Sequence, residues 1–109
     1  MQRYAQVLKL KPECLDNYKM YHANMWPELA ECIRKANIRN YSIYYLQNGY
    51  LFAYYEYVGQ NYHEDRGWLS EQEINKKWQS LMKPMQEPVE VATPGQWWFP
   101  LEELFHFDE

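Results

Sequence analysis

At 109 residues the chain is sized for a single domain spanning 1–109, long enough to bury a core without metals or disulfides. Its net charge is −4, with Lys and Arg scattered and only Lys76-Lys77 adjacent, which argues against a nucleic-acid stripe and against an anionic membrane surface. Aromatic residues make up 18% of the chain, with 11 Tyr and 5 Trp, more ring than one small core uses, so an aromatic-lined pocket, an interface or both is expected.

The apolar runs are far too short for a membrane span. Met1-Gln2-Arg3-Tyr4 leads straight into a strand pattern with no leader-like apolar stretch, so the expected location is cytoplasmic. Arg3 to Leu10 reads as the first strand, with Tyr4, Gln6 and Leu8 alternating against Ala5, Val7 and Lys9. Lys11-Pro12-Glu13 opens a helix, with proline early and an acid in the first turn, that runs to about Asn24. Pro27 lacks an N–H and biases Trp26 toward extended geometry, so a break is expected at Met25-Trp26, with a second helix from Pro27 to about Lys35. Leu29, Cys32, Ile33 and Ala36 form its apolar face.

Tyr41–Leu46 and Tyr50–Val58 are β-rich, and Gln47-Asn48-Gly49 between them carries the Asn-Gly hairpin signal. Gly59 to Gly67 is polar and reads as a loop with at most a helical turn. Ser70-Glu71-Gln72-Glu73 resembles a capping box that starts a helix carrying Ile74, Trp78, Leu81 and Met82, stopped by Pro84. Gln86 to Gln96 reads as an irregular crossing, followed by Trp97-Trp98-Phe99 and a last short strand over Leu104-Phe105-His106-Phe107. The order strand, broken helix, hairpin, helix, strand is that of a ferredoxin-like split β-α-β unit, an α+β class. One such unit leaves a sheet face uncovered, and a C2 homodimer packing two sheets together is the expected remedy.

The segment Tyr18-Lys19-Met20-Tyr21-His22-Ala23-Asn24-Met25-Trp26-Pro27 bears most on function. Tyr18 and His22 stand four residues apart and share a helix face, and Trp26 continues the row. Such a row suits a small pocket that binds a polar ring-shaped ligand and moves its protons. A buried aromatic stripe with one hydrogen-bonded histidine is the plainer reading of the same residues. His63 reads as solvated, His106 as structural, and Glu102-Glu103 as a solvated pair, while Trp97-Trp98 has three places open to it, in the barrel, at a dimer interface or over the pocket rim, with packing favoured. Cys14 and Cys32 have no close-spaced metal pattern, and the three histidines have none either, so no metal site is expected.

The chain resembles the L-rhamnose mutarotase family. The resemblance is carried by Lys9-Leu10-Lys11-Pro12-Glu13, Tyr18-x3-His22-x3-Trp26-Pro27-Glu28, Ile38-Arg39-Asn40-Tyr41-Ser42-Ile43-Tyr44, Leu51-Phe52-Ala53-Tyr54-Tyr55-Glu56-Tyr57, Gln86-Glu87-Pro88, Gln96-Trp97-Trp98 and Leu101-Glu102-Glu103-Leu104-Phe105-His106. It implies a dimeric α+β barrel and cofactor-free interconversion of the anomers of L-rhamnose, a small-molecule sugar. His22 matches the family's proton donor, and Tyr18, Tyr41 and Trp78 match its sugar-binding positions. The family commonly has two adjacent tryptophans where this chain has Lys77-Trp78-Gln79, which keeps another 6-deoxy sugar such as L-fucose open.

The chemistry fits the residue types. Mutarotation opens a hemiacetal and recloses it, so the ring oxygen gains a proton as the anomeric hydroxyl loses one. An ordinary histidine, near pKa 6.5, serves both directions, and a tyrosine near 10 is better suited to orient the hydroxyl than to act as base. On the residues alone, a cofactor-independent monooxygenase and a non-catalytic ligand-binding dimer stay open, because this fold hosts many functions.

Overall fold

The computed structural model describes residues 1–108. Strand β1 (Gln2–Leu10) leads through a 3-10 turn over Pro12–Cys14 into helix α1 (Leu15–Ala23). Trp26 is extended, at ψ 126°, and Pro27 restarts the chain as α2 (Pro27–Lys35), the break that an N–H-less residue imposes. The hairpin strands β2 (Ile38–Leu46) and β3 (Tyr50–Tyr57) follow. Their turn closes with the Gly49 N–H donating to the Leu46 carbonyl at 2.8 Å, and Gly49 takes φ +92°, a value that favours glycine.

The sheet is antiparallel, in the order β2-β3-β1-β4. Strand β4 (Gln86–Glu87) pairs with Leu10 and Lys9, and β5 (Phe99–Pro100) pairs with Val7 and Gln6 further along the same strand. This is the split β-α-β order, with a curled antiparallel sheet in an α+β fold. Tyr55, Leu8, Leu10, Leu29, Leu51 and Met82 are nearly inaccessible and lie between the sheet and the helices. No helix of the described residues is long and apolar enough to cross a membrane.

Three sequence expectations are corrected. The stretch Gly59 to Gly67, expected as a loop, instead enters α3 (Tyr62–Glu71) at Tyr62. Asn61 caps it by accepting from the Glu64 N–H at 3.1 Å, Glu64 and Asp65 suit its first turn, and Tyr62 and Leu69 turn inward, signals masked by the polar composition and by Gly67. The capping box does not form: Ser70 lies inside α3 and donates to the Gly67 carbonyl, while α4 (Glu73–Met82) starts after an extended Gln72. Leu104–Phe107 is not a strand. The pairing with β1 ends where the Leu101 N–H meets the Ala5 carbonyl at 2.8 Å, and the tail then runs exposed, tied by the Arg3–Glu103 ion pair at 2.9 Å.

One irregularity positions the site. The β2–β3 register shifts between Arg39 and Ser42, and Asn40 there has φ 52°. The inserted residue reverses the strand's alternation. Ile38 faces the core before the bulge, and Tyr41, Ile43 and Tyr45 turn to that same side after it, with Tyr41 stacked on Tyr55 at 5.4 Å.

Candidate active site

The helices and the concave side of the sheet enclose a cavity of about 760 Å³, within the usual size for a small-molecule site. Tyr18, His22, Tyr41 and Trp78, reached from α1, β2 and α4, all line it. Tyr18 and His22 are one helical turn apart, with ring centroids 4.4 Å apart. Trp78, only 6% exposed, meets the His22 ring edge-on at 5.3 Å. Trp26 does not line the cavity. It braces Trp78 from behind at 5.1 Å, so the row Tyr18–His22–Trp26 ends in a second layer.

The His22 ring is oriented by its own helix. Nδ1 stands 2.7 Å from the Tyr18 carbonyl oxygen. A carbonyl only accepts, so Nδ1 carries the hydrogen and donates, and Nε2 is the nitrogen left for the cavity. The side chain sits in the last turn of α1.

Tyr18 is oriented from the far end of the sequence. Gln86, 95% buried at the start of β4, donates from Nε2 to the Tyr18 hydroxyl at 3.0 Å. The Trp97 indole N–H donates to the other end of the same amide, Oε1, at 2.9 Å. The Trp97 donor thereby fixes which way the Gln86 amide faces, and Gln86 in turn leaves the Tyr18 O–H as a donor. Burial pushes the Tyr18 phenol up to about 12, against the smaller lowering effect of the Gln86 hydrogen bond, so it stays protonated across the neutral range. Desolvation also raises Tyr41, whose hydroxyl feels the opposing charge of Arg66. Although 39% of the Tyr41 residue is exposed, its stacking against Tyr55 places the phenol end in the cavity.

Several lining residues escape sequence reasoning. Gln86 comes from the stretch expected to be an irregular crossing, and Trp97 and Trp98, for which the sequence favours packing, take the alternative place at the pocket. Arg66 and Ser70 come from α3, and Asn75 and Gln79 from α4. Of the two residues flanking Trp78, Gln79 lines the cavity, whereas the Lys77 ammonium lies 5.7 Å above the Trp26 ring. His106 is exposed on the tail, at a separate hollow of about 220 Å³ beside Arg3 and Tyr54, and His63 is exposed on α3. Among the described residues no cluster of His, Cys, Asp and Glu could hold a metal ion.

The family model described as L-rhamnose mutarotase matches residues 3–107. The L-rhamnose mutarotase of Bacteroides thetaiotaomicron is 34% identical over 109 residues, covering 99% of this chain and 100% of that protein. That of Lactiplantibacillus plantarum is 32% identical over 109 residues, with the same coverage. The crystal structure of an L-rhamnose mutarotase from Formosa agariphila superposes with a TM-score of 0.78 at 28% identity, covering 99% of this chain and 100% of that one. With the match running almost end to end in sequence and in fold, the chain belongs to the L-rhamnose mutarotase family.

Proposed function

We propose that the chain interconverts the α and β anomers of L-rhamnose without a cofactor, with His22 as the proton-transfer residue. The observation that carries this reading is a set of hydrogen bonds converging on Tyr18: Trp97 donates to Gln86, Gln86 donates to the Tyr18 hydroxyl, and His22 Nδ1 donates to the Tyr18 backbone carbonyl. It fixes the tautomer of the histidine and the donor direction of the phenol that shares its helix face.

In the protonated ring, Nε2–H donates to the sugar's ring oxygen as the hemiacetal opens. The neutral ring left behind presents the Nε2 lone pair and takes the proton back on reclosure. Tyr18 donates to the anomeric oxygen and stays neutral, because burial holds its proton, while the anomeric hydroxyl gives up its own proton to water as the C1 carbonyl forms and regains one from water on reclosure. Tyr41, turned inward by the β2 bulge, binds a hydroxyl, and Trp78 offers the apolar sugar face a ring.

We further propose a homodimer. The outward sheet face exposes Tyr44, Leu46 and Phe52, and the tail exposes Leu104, Phe105 and Phe107, an apolar surface that a second copy would cover. The activity is tested by dissolving crystalline α-L-rhamnose and following optical rotation. The reading expects the chain to speed the approach to the same final rotation, and an unchanged rate would overturn it.

A further inference from the structure

The cavity is lined by several cations and, among the described residues, by no Asp or Glu, although the chain as a whole carries −4. Two of its arginines are engaged. Arg34 pairs with Glu31 at 2.8 Å, and Arg39 donates one nitrogen to the carbonyls of Arg34 and Ile38. Arg66 is different: it is half-buried, and among the described residues it makes no ion pair and no side-chain hydrogen bond.

Packing nevertheless holds Arg66 in place. Its guanidinium carbon lies 5.6 Å from the Tyr55 ring centroid, and Tyr55 stacks on Tyr41. Tyr55 is itself anchored by a hydroxyl–hydroxyl hydrogen bond to Tyr62, one turn before Arg66 on α3. The planar fork is therefore set in the cavity wall beside a residue placed above in sugar binding, with its N–H donors uncommitted. Asn75 and Gln79, one turn apart on α4, add neutral amides to the same wall. A partly desolvated guanidinium without an anion is costly, and a ligand carboxylate offsets that cost with two parallel hydrogen bonds.

We propose that Arg66 forms a carboxylate-binding subsite, so that the chain's substrates include hexuronates, sugars that carry a carboxylate on C5 where a 6-deoxyhexose carries a methyl group. The inference rests on the mutarotase reading above and extends its substrate class. Ring opening and closing are unchanged, because the carboxylate is a spectator and no atom or electron is gained or lost. A carboxylate suits the subsite better than a phosphate monoester, which brings close to two negative charges to a single uncommitted guanidinium.

The test is anomer exchange by NMR saturation transfer on D-galacturonate, D-glucuronate, L-rhamnose and D-galactose 6-phosphate. Native chain is compared with Arg66→Met and Arg66→Lys. The expected result is acceleration of at least one hexuronate. Arg66→Met should lower the hexuronate-to-rhamnose ratio of kcat/KM by about 10- to 100-fold, the worth of a charged hydrogen-bonded pair. Arg66→Lys should lower the ratio by less, and it also reads the ratio should the methionine variant fail to fold. Acceleration of L-rhamnose alone, or a ratio unchanged by both variants, would overturn the subsite and leave the mutarotase reading intact. Preference for the 6-phosphate would overturn the carboxylate assignment. No acceleration of any sugar would remove both.

Discussion

Gln86 and Tyr18, 68 residues apart, meet inside the protein through an Nε2-to-hydroxyl hydrogen bond of 3.0 Å. The contact turns a helix tyrosine into a directed donor, because the phenol oxygen accepts from the amide and its own hydrogen is left for the cavity. Gln86→Leu keeps the volume and removes the polar group. It should lower anomer exchange about tenfold, the worth of one net hydrogen bond, and destabilise the fold by about 1–3 kcal/mol by orphaning the Trp97 indole N–H. Exchange rates and urea midpoints, with Tyr18→Phe completing a double-mutant cycle, measure both.

Trp78 joins packing to the cavity wall. It touches His22, Tyr21 and Trp26 edge-on and is nearly buried. Trp78→Ala should cost about 3–5 kcal/mol of stability, as large-ring deletions do. Trp78→Phe keeps a ring, and should raise KM while leaving kcat nearly unchanged if the indole serves binding rather than proton transfer. Thermal unfolding and steady-state exchange separate the two.

How far the sequence reaches depends on whether a feature is local. The Tyr18–His22 pair lies within one helical turn, and the Pro27 break and the Asn-Gly hairpin are written in neighbouring residues. Helix α3 was hidden because its cap, Asn61, and its inward residues sit within a polar stretch that also holds Gly67. Gln86, Trp97 and Arg66 are illegible for another reason. Their roles arise only when β4, the Trp97 crossing and α3 are brought against α1 and the sheet, and no periodicity records that meeting. The tail alternates like a strand, yet its pairing with β1 stops at Leu101.

Alkaline pH should weaken the fold through its buried phenols. Tyr18 rises from about 10 to about 12 in the folded state, and burial pushes Tyr4, Tyr55 and Tyr57 the same way. Below pH about 10 a phenol is neutral in both states, and the preference for the neutral form is fully present. Above that the unfolded chain ionises first, the folded state holds more protons, and stability falls with rising pH until the folded value is passed. Urea midpoints should decline between about pH 10 and about pH 12, and Tyr18→Phe should decline less steeply.

The exposed tail provides a test of assembly. Leu104, Phe105 and Phe107 are 86%, 80% and 72% exposed. Replacing all three by serine should shift a dimer toward monomer in sedimentation velocity while the far-ultraviolet circular dichroism stays native, since each large apolar side chain buried at an interface is worth about 1.5–3 kcal/mol. A native chain that sediments as a monomer would contradict the dimer.

His22, held by the Tyr18 carbonyl, is the residue proposed to transfer the proton. Its most direct test is saturation transfer between the anomers of L-rhamnose at equilibrium, with native chain and with His22→Ala. Rapid exchange is expected with the native chain, and a loss of roughly 10²–10⁴-fold in the variant with the fold retained. Near-native exchange in a folded His22→Ala would contradict it.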